Sequence, residues 1–169
     1  LDIRVEEQPT GELSGGFGWS NINGFMVDAG ITENNFMGRG QVVQLRASVA
    51  EYQKQALFSF TEPYLFGRQL SGGFDVSYTM YDYSSLGSLG YDRDSLVLAG
   101  RMGWRLTDHW SQSVRLSASF DQNYDIQVPG GWQKANLYTL STGFRYHNLD
   151  TNFEQNTHTG IVANLGLAY

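Results

Sequence analysis

Apolar and polar side chains alternate at every second position through most of this chain, and that alternation limits what it can fold into. Leu70, Gly72, Phe74, Val76, Tyr78 and Met80 interleave with Ser71, Gly73, Asp75, Ser77 and Thr79. Leu96, Leu98, Met102, Trp104 and Leu106 likewise share one face, with Ser95, Arg101 and Arg105 on the other. Successive side chains of a strand point to opposite faces, so each such segment is a ribbon with an oily side and a polar side. A soluble sandwich carries the same pattern. The long runs, the Arg and Asp on the polar face, and the share of the chain spent this way point elsewhere. They predict an all-β fold, an antiparallel transmembrane β-barrel or partial barrel of about 8–9 strands with lipid outside.

Composition narrows the classes further. Mean hydropathy is −0.35 and no apolar stretch approaches the ~20 residues of a membrane helix, which excludes helical spans but not strands. Cysteine is absent, so there is neither a disulfide framework nor a Cys metal site. The net charge of −6 argues against nucleic acid as a partner. The chain opens Leu1-Asp2-Ile3-Arg4 without Met or a signal pattern, which is expected of the mature form or an internal part of an exported protein.

Nine period-two runs bounded by turn residues fall near 12–20, 25–34, 41–51, 55–62, 68–81, 94–106, 111–121, 135–147 and 159–169. Asn21-Ile22-Asn23-Gly24 predicts a tight hairpin, and Thr107-Asp108-His109-Trp110 another short turn. Residues 82–93 and 122–134 read as long polar loops. The last run, ending on Tyr169, is a candidate closing strand. Upstream, Leu1, Ile3 and Val5 alternate with Asp2, Arg4 and Glu6 up to Gln8-Pro9. Residues 1–10 are therefore expected to be the remnant of a preceding domain, with 11–169 the barrel part.

The presumed lipid face carries Phe25, Val27, Ala29 and Ile31, then Val43, Leu45, Ala47 and Val49, and later Val114, Leu116, Ala118 and Phe120. Tyr138, Leu140, Phe144 and Tyr146 continue it, as do Ile161, Ala163, Leu165 and Leu167. Trp19, Tyr52, Tyr64, Trp104 and Trp110 gather toward strand ends, where amphipathic rings suit the headgroup region. Asp28, Arg46, Asp75, Arg101, Arg105, Arg115, Asp121 and Arg145 fall on the other face and are expected to form a crossed ionic network in a barrel interior.

Catalytic chemistry is poorly supplied. His109, His147 and His158 share no metal-ligand spacing, and no cofactor motif is present. His147 with Ser141 on the same face is the one candidate for Ser–His hydrolysis. Gly15-Gly16-Phe17-Gly18 and Gly38-Arg39-Gly40 are not phosphate loops, because no helix follows either. The glycines of the first ribbon have two readings: easing of barrel curvature, or a thin edge strand that templates pairing with another chain.

Several motifs resemble a family. Val5-Glu6-Glu7-Gln8-Pro9-Thr10-Gly11-Glu12-Leu13 running into Gly16-Phe17-Gly18-Trp19-Ser20 resembles the junction between the last periplasmic POTRA domain and the first barrel strand of the BamA family, the barrel-assembly factors of Gram-negative outer membranes. Asn34-Asn35-Phe36-Met37-Gly38-Arg39-Gly40 is similar to the family's N-(F/W)-x-G-x-G turn after the second strand. Phe58-Ser59-Phe60-Thr61-Glu62-Pro63-Tyr64 is similar to its T-(E/N)-P-Y turn after the fourth, and Tyr146-His147-Asn148-Leu149-Asp150 to the end of its eighth strand.

The resemblance implies a junction plus roughly the first half of a barrel, located in the outer membrane. It implies insertion of other barrel proteins without covalent chemistry or cofactor. The strand meeting the substrate would be Gly11, Glu12, Leu13, Ser14, Gly15, Gly16, Phe17, Gly18, Trp19 and Ser20. The implied partners are membrane lipid, unfolded outer-membrane proteins, and other assembly subunits or a second copy. Two other classes remain open on the residues alone: a small closed barrel with a structural or adhesive role, its loops acidic at Asp82, Asp92, Asp94 and Asp125, and a lipid-acting barrel enzyme.

Overall fold

The computed structural model describes residues 10–21, 23–83, 91–124, 133–147 and 162–168. Their nine strands are β1 (Gly11–Ser20), β2 (Gly24–Phe36), β3 (Gln41–Ala50), β4 (Gln53–Glu62), β5 (Leu70–Asp82), β6 (Asp92–Arg105), β7 (Trp110–Tyr124), β8 (Lys134–His147) and β9 (Val162–Ala168). They form one sheet in sequence order, every neighbouring pair antiparallel. The expected strands are all present, most of them a residue or two longer at one end. The final run differs in role: β9 pairs with β8, and among the described residues nothing pairs it with β1. The sheet is an open partial barrel.

Directly opposed residues in the ladders share a face. Phe60 lies opposite Phe74, Phe74 opposite Gly100 and Gly100 opposite Leu116, giving one continuous apolar row. The six described non-glycine residues with the least exposure are Ala50, Asp75, Thr79, Ser95, Ala99 and Asp121, and the register places all six on the polar face. The large apolar groups stay uncovered, with Phe17 at 84% and Leu116 at 60% exposure. Such a protein is inverted relative to a water-soluble domain, since its crowded face is polar and its open face is oily. Only hydrocarbon outside relieves the second condition.

A direct test follows at Leu98, mid-strand between Val76 and Ala118 on the oily face. Leu98→Arg is expected to cost about 2–4 kcal/mol of folding stability in vesicles, because a guanidinium at mid-bilayer is poorly solvated. Ser117→Arg, facing the polar side opposite Ala99, is expected to cost well under half as much in the same urea titration. Equal costs would mean that the oily face does not meet acyl chains.

The two turn motifs have physical causes. Asn35 Oδ1 accepts a hydrogen bond from the Gly40 amide at 2.7 Å, bracing a turn in which Met37, Gly38 and Gly40 all have positive φ. Glu62 accepts from the Tyr64 amide at 3.0 Å and from Gln41 Nε2 at 2.7 Å, tying the β4–β5 turn to β3. The chain then makes a short 3-10 turn at Leu65–Gly67.

Candidate functional site

Two features stand out: the outer edge of β1 and the charged cluster on the polar face. β1 pairs with β2 through ten consecutive residues without a bulge, from Gly11 opposite Glu33 to Ser20 opposite Gly24. No described strand pairs with its other edge. Natural edges are usually blunted by Lys, Pro or a bulge. Here Gly11–Ser20 has neither Lys nor Pro, and Glu12 is its single charge. Leu13, Phe17 and Trp19 project from the oily face and are 81%, 84% and 73% exposed. The start of β1 is clamped, since the Thr10 carbonyl accepts from the Asn34 amide at 3.2 Å and from Asn34 Nδ2 at 3.1 Å, and Thr10 Oγ1 donates to Glu33. Further along, Ser14 Oγ reaches the Gly30 carbonyl at 3.3 Å. The Asp28 carboxylate lies over Gly16, where an added Cβ would meet its Oδ2 at 2.7 Å.

The register sets Asp28, Arg46, Asp75, Arg101, Arg105, Arg115, Asp121 and Arg145 on one face, and the ion pairs among the described residues gather in groups around Asp75 and Asp121. Asp75 is the hub of the largest. Its Oδ1 accepts from Ser59 Oγ at 2.8 Å and from Arg101 Nη1, and its Oδ2 accepts from Arg115 Nη1 at 2.7 Å. Arg101 also donates to Ser59 Oγ at 3.0 Å, to Thr61 Oγ1 and to the Phe60 carbonyl. Asp121 pairs at 3.0 Å with Arg93, which belongs to β6 and not to the loop expected over residues 82–93. Gln44, with its amide oxygen turned toward Arg46, accepts from that guanidinium at 3.1 and 3.2 Å. Arg105 and Arg145 line an open hollow with Gln69, Ser71 and Ser111 near the same rim.

Arg101 reaches β4 only because Gly73 stands in its path. A Cβ there would press on the Phe60 carbonyl and lie 3.0 Å from Arg101 Nε. Gly73→Val is expected to displace the guanidinium and cost about 1–3 kcal/mol. Combined with Arg101→Ala, the loss should be clearly less than additive in a double-mutant cycle of unfolding midpoints. Additive losses would mean that the clash with the Phe60 carbonyl of β4, and not displacement of Arg101, sets the cost.

The Ser–His candidate is not assembled. Ser141 Oγ donates to the Arg115 carbonyl at 3.4 Å. His147 stands six residues further along β8, about 20 Å away at strand rise. No group of His, Asp and Glu among the described residues could hold a metal ion. Residues 1–9, assigned above to a preceding domain, and Asp125 lie outside the described residues.

An antiparallel sheet with an oily outer face, an ion-paired polar face and an unblunted first edge defines a transmembrane β-barrel segment. The comparisons agree. The Omp85 superfamily domain matches residues 35–169, and the chain belongs to that superfamily. It is 33% identical over 127 residues to the outer membrane protein assembly factor BamA of Nitratidesulfovibrio vulgaris, covering 74% of this chain and 16% of the relative. It is 33% identical over 82 residues to BamA of Neisseria meningitidis serogroup B, covering 48% of this chain and 10% of that one. The crystal structure of BamA from Haemophilus ducreyi lacking POTRA domains 1-3 superposes with a TM-score of 0.66 at 24% identity, over 96% of this chain and 35% of that one. The chain thus spans a small part of the relatives it matches. It is a BamA-like outer-membrane barrel segment of a family concerned with outer-membrane protein assembly.

Proposed function

We propose that this chain supplies the substrate-receiving edge of an outer-membrane insertase, with β1 adding backbone hydrogen bonds to a strand of an incoming, unfolded barrel protein. The observation that carries the reading is the regular, bulge-free β1 ladder, whose second edge has neither Lys nor Pro to repel a partner strand. Backbone pairing accepts many sequences, as a general assembly factor requires. The oily face on β1 and β2 gives the new strand's lipid-facing side chains a continuous surface to join. The charges of the polar face line the lumen and keep the remaining strands in register while the edge exchanges partners. No step of this cycle breaks or makes a covalent bond.

In this reading a periplasmic domain precedes Gly11. The rim holding residues 37–40, 63–69 and 106–109 then faces the periplasm, since it shares an end with the start of β1. The test is cysteine cross-linking in the intact protein during insertion of a model barrel. Ser14→Cys and Gly16→Cys should capture substrate strands, whereas Ser117→Cys on β7 should not. Capture at β7 alone would overturn the proposal.

A further inference from the structure

On the oily face, β5 and β6 carry a groove of about 560 Å³ bounded by Leu65, Phe74, Met102, Trp104, Val114 and Leu116. That volume falls within the ~300–1,000 Å³ typical of sites for small ligands. Gly72 and Gly100 form its floor. Gly72 is explained by the fold, because a Cβ there would lie 3.2 Å from Leu65 Cδ2. Gly100 is not. Its φ is not positive, and a Cβ there would meet nothing within 4 Å. A glycine inside a strand weakens it and commonly marks the close approach of a ligand or another backbone. The groove opens toward the rim of the β4–β5 turn. There Phe66 holds φ +57 and is 85% exposed, Tyr64 is 62% exposed, and Arg68 closes the turn after Gly67. An aromatic residue kept in the left-handed region to project outward suits the boundary between headgroups and acyl chains.

We infer that this groove retains one acyl chain of a phospholipid from the leaflet bordering that rim, with the Tyr64–Arg68 turn at its headgroup. The occupant follows from the medium, since a trough on a hydrocarbon-facing sheet whose lining is apolar apart from Glu62 and Arg101 is filled by hydrocarbon, and from Arg68 in the adjoining turn, whose charge complements a phosphate. Assignment to the phospholipid of the periplasmic leaflet rests on the orientation given under Proposed function.

The test reconstitutes the intact protein in vesicles with a phosphatidylethanolamine bearing a diazirine on one acyl chain, and maps labelled residues after irradiation. Labelling at Leu65, Met102 and Leu116 should exceed that at Leu45 and Ile31, equally oily positions outside the groove, by about fivefold or more. Gly100→Leu, whose Cβ would meet nothing within 4 Å, should bring the two sets level while insertion of a model barrel proceeds unchanged. The wild-type labelling pattern needs no variant, so a folding defect in Gly100→Leu leaves the test intact. Even labelling along the wild-type sheet overturns the inference, as does preferential labelling by a lipid A analogue over the phospholipid. Loss of strand capture at β1 with groove labelling preserved would remove the proposed function and leave the groove standing.

Discussion

Proline at Gly15 together with proline at Gly16 is expected to abolish assisted insertion of a model barrel into liposomes. Adjacent residues of a strand point their amides to opposite edges. One proline therefore removes a donor from the β1–β2 ladder and the other removes a donor from the edge that no described strand pairs with. Losing one ladder bond and leaving its partner unmet costs about 1–3 kcal/mol, or roughly 5–150-fold in rate if the pairing forms in the rate-limiting step. The two single variants separate structure from function. The one that spares the β1–β2 ladder should keep the unfolding midpoint and still lose insertion. Gly15→Ala is the control for side-chain bulk: its Cβ would sit 3.6 Å from the Asp28 carbonyl, an ordinary contact, and its amide is intact. Its insertion rate should stay within about twofold of the unmodified protein, since no hydrogen bond is lost. If both single prolines insert at the normal rate, β1 is not the receiving edge.

Period-two alternation made the architecture legible, because in a sheet the face of every residue follows from the parity of its position. Once Asp75 is placed on the polar face, Arg101 and Arg115 must follow in register, and the structure finds them directly opposite each other beside it. The ends of strands were less visible. β6 begins at Asp92, two residues before alternation becomes clear, so the period does not reveal Arg93 as the partner of Asp121. The composition of that stretch is polar on both sides, which hides the period.

Contacts that depend on a side chain crossing a neighbouring strand were not legible at all. Arg101 bonds to β4 by passing over Gly73, and no local pattern relates residue 101 to residues 59 to 61. The groove over Gly100 is hidden for the same reason, since it exists only where Phe74 and Leu116 flank that position in register. The edge of β1 was foreshadowed by its glycines, although curvature explained them equally well. The unbroken ten-residue ladder to β2 is a property of pairing that composition does not reveal.

Asp75→Ala should be the most damaging single change on the polar face. Asp75 is 8% exposed and accepts from two guanidinium groups that stand opposite each other on β6 and β7. Removing the carboxylate leaves two like charges face to face and strips Ser59 of its acceptor. Breaking a buried pair costs ~3–5 kcal/mol, and the partial exposure of both arginines reduces the expected loss to about 2–4 kcal/mol. Asp121→Ala should cost less, because it strands one cation, Arg93, which can turn to water. The check is the urea midpoint of the protein folded in vesicles, read by the mobility shift of the unheated band. Adding Arg115→Gln to Asp75→Ala should recover part of the loss, since one charge then remains where two repelled. A double variant less stable than Asp75→Ala alone would show that Arg115 supports the sheet by packing its stem, and that repulsion between the arginines is not what the carboxylate holds in check.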